Sequence, residues 1–528
     1  MFTTRRGEPV TWEPEVDELR QRLALAEQMG GEEGVERQRR RGKLPVRERI
    51  ALLADPGTFR QFGAFKGHAV YDESGDISSF TPAGQVDGMC LVNGRKVVFM
   101  AGDFTVRGGS SDGHHGGLGQ ELSAAERALE WRLPYIRLLD AAGGSVRSFE
   151  TLGRTYLPDA NSFVHTDVRL LNTVPVASVV LGAAAGIGAL HTSLAHWNVM
   201  VEGISQVFPG GPPVVKAALG LDITKEELGG PEIHVRKSGV VDNLAVDEGD
   251  AIDQCKRFLS FLPASVYELP DRSEPSDDPE RRAPELIDFI PRDPRWVFKA
   301  NRLIELVVDE GSFFEIAPHY GKARVTGLAR VDGHPVGVMA NNPMHQGGAT
   351  DVAAGSKALR LLQLCDTFHL PLVDFADEPG LMVGPEAERS GIERVGARLI
   401  CATIDSRMPW ITFAVRRLYG VGGQAHHRAS GMFRRYAWPS ANWGSMHIAG
   451  GASAAYRREI EAADDPDARR AEIEHRLQQF ASPFRTAEAT GQDIIDPRDT
   501  RPLLVEFVRD AQRILATQVG PPPVPYRP

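Results

Sequence analysis

Two stretches of small residues hold the groups best placed for chemistry in this chain. They are "GAAAGIG", from Gly182 to Gly188, and "YGVGGQA", from Tyr419 to Ala425. Each comes after an apolar run ("VASVVL" directly before the first, "ITFAV" three residues before the second) and leads into a helical pattern. A glycine turn there lets a ligand approach the backbone closely, and the N–H groups that open a helix have no partner of their own. Such donors suit an oxygen that becomes negative during a reaction. Side chains offer less. His114 and His115 sit in a glycine loop without the companion ligands a zinc site needs. His426 and His427, after the second turn, read as solvent-facing loop residues. Glu202, just after "WNVMV", could be a base, although a single Glu at a strand end usually serves structure.

The spacing in GAAAGIG would also fit a dinucleotide turn, but its context does not. Such a turn follows the first strand of its unit, with an acidic residue about 20 positions on. Here the glycines come after several strands, and no Tyr is followed four residues later by Lys.

The elements that must carry these turns are duplicated. "VDGMCLVNGRKVVFMAGDFTVRGGS" (86–110) parallels "VTGLARVDGHPVGVMANNPMHQGGA" (325–349), each a strand, an NG or DG hairpin, a strand and a glycine loop. A helix and an apolar strand follow in both ("LPYIRLLDAAGG", "LPLVDFADEPG"), and then the strand that ends in each glycine turn. A polar, proline-rich segment at 270–294 reads as a linker between residues 1–269 and 295–528. Duplication favours function over close packing for the turns, and it predicts two oxyanion sites.

Composition bounds the rest. The 528 residues suit two large domains, and a net charge of -10 argues against non-specific binding to nucleic acid or an anionic membrane. Within this acidic chain, "RQRRRGKLPVRER" (37–49) carries seven Arg or Lys and is a candidate anion site. Cys90, Cys255, Cys365 and Cys401 form no CxxC, and no signal-like segment opens the chain, so a cytoplasmic location is expected.

Taken together, "GDFTVRGGS", "LPYIRLLDAAGG", "GPPVVKAALGLDITKEELGG", "RKSGVVD", "GLMVGPEAERSGIERVGAR" and "AWPSANWGSMHIAGGASAA" give the chain a clear family likeness. It resembles the carboxyltransferase (β) subunit of biotin-dependent acyl-CoA carboxylases, nearest the 3-methylcrotonyl-CoA and propionyl-CoA group, over nearly its whole length. The resemblance implies an α/β fold of two tandem crotonase-like domains, each a β-β-α superhelix. Residues 1–269 would form the acyl-CoA side and 295–528 the biotin side. It implies that Gly186 and Ile187 hold the thioester oxyanion, while Val421 and Gly422 hold the biotin oxygen. Arg41, Lys43, Arg47 and Arg49 become candidates for the CoA phosphates, with Lys216 a weaker one. Gly143, Gly144 and Gln424 would line the substrate pocket. No metal site is expected. Biotin would arrive on a biotinylated α partner that also uses ATP and Mg2+, because this sequence has neither Met-Lys-Met nor GxxxxGK[ST]. A hexamer, as a trimer of dimers, is implied. Departures stand at Ile187 (glycine in the family), Ser145 (arginine in the propionyl branch) and His196 (aspartate). Rival expectations are a biotin-dependent decarboxylase, a crotonase-type hydratase or isomerase, and a non-catalytic structural subunit.

Overall fold

In the computed structural model, residues 11–528 are described except 112–121, 145, 147–148, 151–152, 156–159, 276 and 429. The expectations for His114, His115 and Ser145 therefore lie outside the described residues. Two eight-stranded mixed sheets carry the chain.

The first sheet contains β1 (Arg60–Phe62), β4 (Gln85–Val92), β5 (Arg95–Gly102), β7 (Tyr135–Ala141), β9 (Val176–Ala185), β10 (Trp197–Val201) and β12 (Asn243–Ala245), in that spatial order. A further strand, β11 (Gln206–Phe208), pairs with the far end of β9. β2 (Gly67–Tyr71) and β3 (Ile77–Pro82) form a separate hairpin, and β6 (Ser110–Ser111) pairs with β8 (Gly143–Gly144). The second sheet repeats the plan with β13 (Phe314–Ile316), β14 (Arg324–Val331), β15 (His334–Asn341), β16 (Leu372–Glu378), β17 (Trp410–Tyr419), β18 (Phe433–Ala437) and β20 (Asp493–Ile494). There β19 (Asn442–Gly444) extends the far end of β17.

The repeat holds residue by residue. Tyr135 pairs with Val176 in the first sheet as Leu372 pairs with Trp410 in the second. Both ladders then slip at the same place, between Leu139 and Ala141 and between Ala376 and Glu378. Gly182 therefore corresponds to Arg416, Gly186 to Gly420, Ile187 to Val421 and Gly188 to Gly422. Central strands β9 and β17 are almost wholly buried, which explains their near-continuous Val, Ala, Ile and Phe content.

The two halves share a core. Trp197 stacks on Phe258, with ring centroids 5.4 Å apart, and meets Phe314 of the second half at 5.9 Å. "RKSGVVD" belongs to the seam between the halves. Gly239, at φ 65, leaves room for Tyr320, Asp242 pairs with Arg360, and Asn243 accepts from the Ala317 N–H. The 270–294 segment, expected to be a linker, is packed against the second half. Ala283 and Leu286 enter the second half's core, and Arg281 donates to the carbonyls of Leu306 and Val308. The end of the chain also returns to the first half, where Tyr526 packs buried against His196. No helix among the described residues is long and apolar enough to cross a membrane.

Candidate active site

β9 ends at Ala185, and Gly186 turns the chain into the helix Ile187–Ser193. Its φ of 61° and ψ of -117° lie outside the wells open to other residues, which accounts for the glycine. β17 ends at Tyr419, and Gly420, at φ 60°, turns into the helix Gly420–Gln424.

Donor availability refines the expected pairs. The Gly186 N–H already donates to the Phe208 carbonyl at 3.2 Å. Ile187 and Gly188 donate to nothing among the described residues, and the same is true of Val421 and Gly422. The free pair in the first half is thus Ile187 with Gly188, one residue on from Gly186–Ile187 and in register with Val421–Gly422. Ile187 and Val421 are exposed by 46% and 60%, so both turns open onto the surface of a single chain.

Glycines around the turns answer to close approaches. A Cβ on Gly143 (φ 86°) would lie 3.2 Å from the Ala185 carbonyl, which places the Gly143–Gly144 strand against the end of β9. A Cβ on Gly422 would meet Gly380 and Leu381 backbone atoms at 3.1 Å. Gly182 has a different task. A Cβ there would lie 2.1 Å from Asp140 Oδ1 and 2.7 Å from Lys43 Nζ, so the glycine makes way for a buried ion pair.

That ion pair corrects the expected phosphate set. Lys43 Nζ is 2.8 Å from both Asp140 oxygens. Arg49 binds Asp140 at 2.9 Å and Glu248 at 2.6 Å, and donates to the Leu181 carbonyl. All four side chains are buried. Burial drives the Lys43 pKa down and outweighs the attraction of Asp140, whereas for Arg49 the two carboxylates prevail over burial and raise it. Lys43 and Arg49 therefore fasten the N-terminal arm beneath β9, their charged ends engaged by buried carboxylates. In the second half the equivalent buried carboxylate, Asp377, is held instead by Arg416 and Arg417 of β17 itself, each at 2.7 Å.

Arg41 and Arg47 stay available. Arg41 is exposed over the Phe104 ring. Arg47 is half-buried, its Nε has no partner among the described residues, and it shares a small recess with Lys66, Gln85 and Asp103. Lys216 is exposed and paired with Asp222 at 2.6 Å. Gln424 is exposed at the end of its helix. Glu202 is an exposed turn residue whose N–H donates to Ala245. His196 is buried, with Nδ1 accepting from Val176 and Nε2 donating to the Leu171 carbonyl; burial lowers its pKa to about 3, so it is a neutral core residue. His427 is exposed as expected, but His426 is not. It is 1% exposed, and Nδ1 lies 2.6 Å from Asp374.

Sequence patterns did not single out Gly188, Asp140, Glu248, Asp377 or Glu378. The only available signal was an acid at the end of the second apolar strand in both halves ("LLDA", "FADE").

The carboxyl transferase domain family matches residues 37–513. The chain belongs to that family. A propionyl-CoA carboxylase carboxyltransferase subunit from Haloferax mediterranei is 36% identical, with 95% of this chain and 96% of the relative covered. The methylmalonyl-CoA carboxyltransferase 12S subunit of Propionibacterium freudenreichii subsp. shermanii is 35% identical, with 93% of each covered. The crystal structure of transcarboxylase 12S, determined with methylmalonyl-CoA and methylmalonic acid bound, superposes with a TM-score of 0.85 at 33% identity and 97% coverage of both chains. These likenesses make the protein a carboxyltransferase subunit of the biotin-dependent acyl-CoA carboxylase type, acting on an acyl-CoA, with the crotonase-like fold.

Proposed function

We propose that this chain transfers a carboxyl group from biotin on a partner subunit to a short or branched acyl-CoA, using the first half for the thioester and the second for biotin. The observation that carries the two oxyanion sites is the repeated turn, with two N–H groups at the same register in each half that are unpaired among the described residues. Ile187 and Gly188 are the donors for the thioester oxygen as negative charge grows on it, and Gly186 sets their direction. Val421 and Gly422 hold the ureido oxygen in the same way. Carboxybiotin supplies the CO2 and, once that has left, a ureido nitrogen able to take the substrate's α-proton (or γ-proton in a vinylogous substrate). No side-chain base is then needed, consistent with the exposed, undirected position of Glu202. Arg41 and Arg47 are the phosphate contacts, and Gly143, Gly144 and Gln424 line the approach.

Exposed apolar residues occur on both turns (Ile187 and Leu190 in one half, Val421 in the other) and elsewhere in each half, among them Val214, Val383 and Met446. That surface supports burial between subunits, in a hexamer built as a trimer of dimers. Three of the four cysteines are buried and none is bonded, as suits a reducing cytoplasm. ATP and Mg2+ act on the biotinylated partner. One relative, 31% identical, is a methylmalonyl-CoA decarboxylase subunit alpha from Veillonella parvula, which keeps reversed transfer as the second reading.

Reconstitution decides between them. The chain is combined with its co-purifying biotinylated protein, ATP, Mg2+, bicarbonate and a panel of acyl-CoAs, with products read by mass spectrometry. A carboxylated acyl-CoA is expected. Decarboxylation alone, together with a membrane pump among the co-purifying proteins, would favour the second reading.

A further inference from the structure

His426 is placed where nothing in the transfer reaction requires a histidine. It lies four residues beyond Gly422, fully buried, with Nδ1 2.6 Å from Asp374 Oδ2 and Nε2 3.4 Å from Glu378 Oε2. Arg324 reaches the same cluster, at 2.8 Å from Glu378 and 3.3 Å from His426 Nε2. Thr350 and Asn341 donate to Glu378 as well. Asp374 has no other ion-pair partner among the described residues, and its Oδ1 accepts no hydrogen bond.

The cluster grips the biotin-side turn at two points. At its C-terminal end, the His426 N–H donates to Gly423, and the His426 carbonyl accepts from Thr412 of β17. At its base, Glu378 Oε1 accepts the Gly380 N–H, and Gly422 packs closely on Gly380 and Leu381, whose backbone atoms would lie 3.1 Å from an added Cβ. The corresponding position in the first half is Thr192, whose hydroxyl donates to the Gly188 carbonyl within its own helix and whose carbonyl accepts from Asn198.

We propose that His426 is a positioning residue: as an imidazolium between Asp374 and Glu378, it fixes the turn so that the Val421 and Gly422 amides face the biotin oxygen. This rests on the carboxyltransferase reading above. Asp374 and Glu378 of β16 and Arg324 of β14 are the charged groups facing the ring among the described residues. With His426 charged, two cations balance two carboxylates; with it neutral, one buried carboxylate is left without a counter-charge. Burial alone would lower the imidazole pKa, but Asp374 and the bond to Glu378 outweigh it and raise it. The hold on the turn is therefore complete below the ordinary value of about 6.5 and is lost as pH rises through the folded value.

The test follows backbone hydrogen exchange in peptides covering 415–430, corrected for intrinsic rate, from about pH 6 to about pH 9.5, in the wild-type complex with its biotinylated partner and in H426N. Carboxyl transfer is measured in parallel. Protection in the wild type should fall with rising pH, and H426N should be unprotected throughout. The kcat of H426N should drop about 10- to 100-fold, as for a misplaced catalytic group, with acyl-CoA KM unchanged and the wild-type alkaline limb gone. Wild-type protection that stays constant across the range overturns the proposal even if H426N does not fold, and so does a folded H426N with wild-type kcat. If the wild type shows the exchange behaviour but transfers no carboxyl group, the functional reading fails and the positioning of the turn stands.

Discussion

Substituting Gly186 with Ala should disable the acyl-CoA half of the reaction while leaving the fold intact. An added Cβ would touch only the Pro209 carbonyl, at 4.0 Å, so packing does not oppose the change. The backbone does. At φ 61° and ψ -117°, a non-glycine residue carries strain of about 1–3 kcal/mol. The turn can relieve that strain only by rotating the peptide planes that follow, and these carry the Ile187 and Gly188 N–H groups. Losing one well-placed oxyanion donor costs about 2.7–4 kcal/mol, or about 10²–10³ in kcat. Gly182, four residues earlier, provides the contrast. Its Ala variant forces the Lys43–Asp140 pair apart, and breaking a buried pair costs about 3–5 kcal/mol of stability. G186A should therefore melt within a few degrees of wild type and lose transfer, whereas G182A should melt far lower. Steady-state carboxylation with the biotinylated partner, beside calorimetric melting, separates the two. A G186A enzyme with wild-type kcat would refute the assignment of the free donors, and equal melting of both variants would refute the packing argument for Gly182.

Other outcomes follow from the same geometry. R49M should destabilise the chain by about 3–5 kcal/mol, because Asp140 and Glu248 lose a shared buried partner; chemical denaturation reads this directly. R41A and R47A should each raise the KM for acyl-CoA with little change in kcat or melting, since Arg41 is exposed and Arg47 is half-buried with no partner for its Nε among the described residues. I187G keeps its N–H and removes an exposed apolar wall, so kcat/KM for a bulkier acyl-CoA should rise about tenfold relative to a smaller one. For Glu378, burial would raise the carboxyl pKa, but His426, Arg324 and Thr350 hold it down at about 2. Its stabilisation is present above the ordinary value of about 4.3 and is lost as pH falls toward the folded value. The melting gap between wild type and E378Q should close over that interval, and parallel curves would count against the ion cluster.

The architecture was legible because duplication prints itself on sequence. Two NG or DG hairpins, two buried strands and two glycine turns fall in the same order, and their ladders match residue by residue. The buried charges were much less legible. Lys43 and Arg49 look like part of a solvated basic run, and only the fold shows that they cross beneath β9 to Asp140 and Glu248. The same need in the second half is met by Arg416 and Arg417 from the strand itself, so no shared pattern marks it. His426 and His427 are adjacent, yet one is buried between two acids and the other is exposed. That difference depends on β16, about 50 residues away in sequence, which local periodicity does not register. The choice between Gly186 and Gly188 likewise turns on one bond to Phe208, a contact made by a strand that follows later.

The central claim, carboxyl transfer between biotin and an acyl-CoA on this chain, is tested most directly by a single turnover without ATP. The biotinylated partner is carboxylated with labelled bicarbonate, freed of nucleotide and mixed with this protein and an acyl-CoA. Label passing from biotin into an acid-stable carboxyacyl-CoA is the predicted result. Label that stays on biotin, or leaves as CO2 with every acyl-CoA tried, would contradict it.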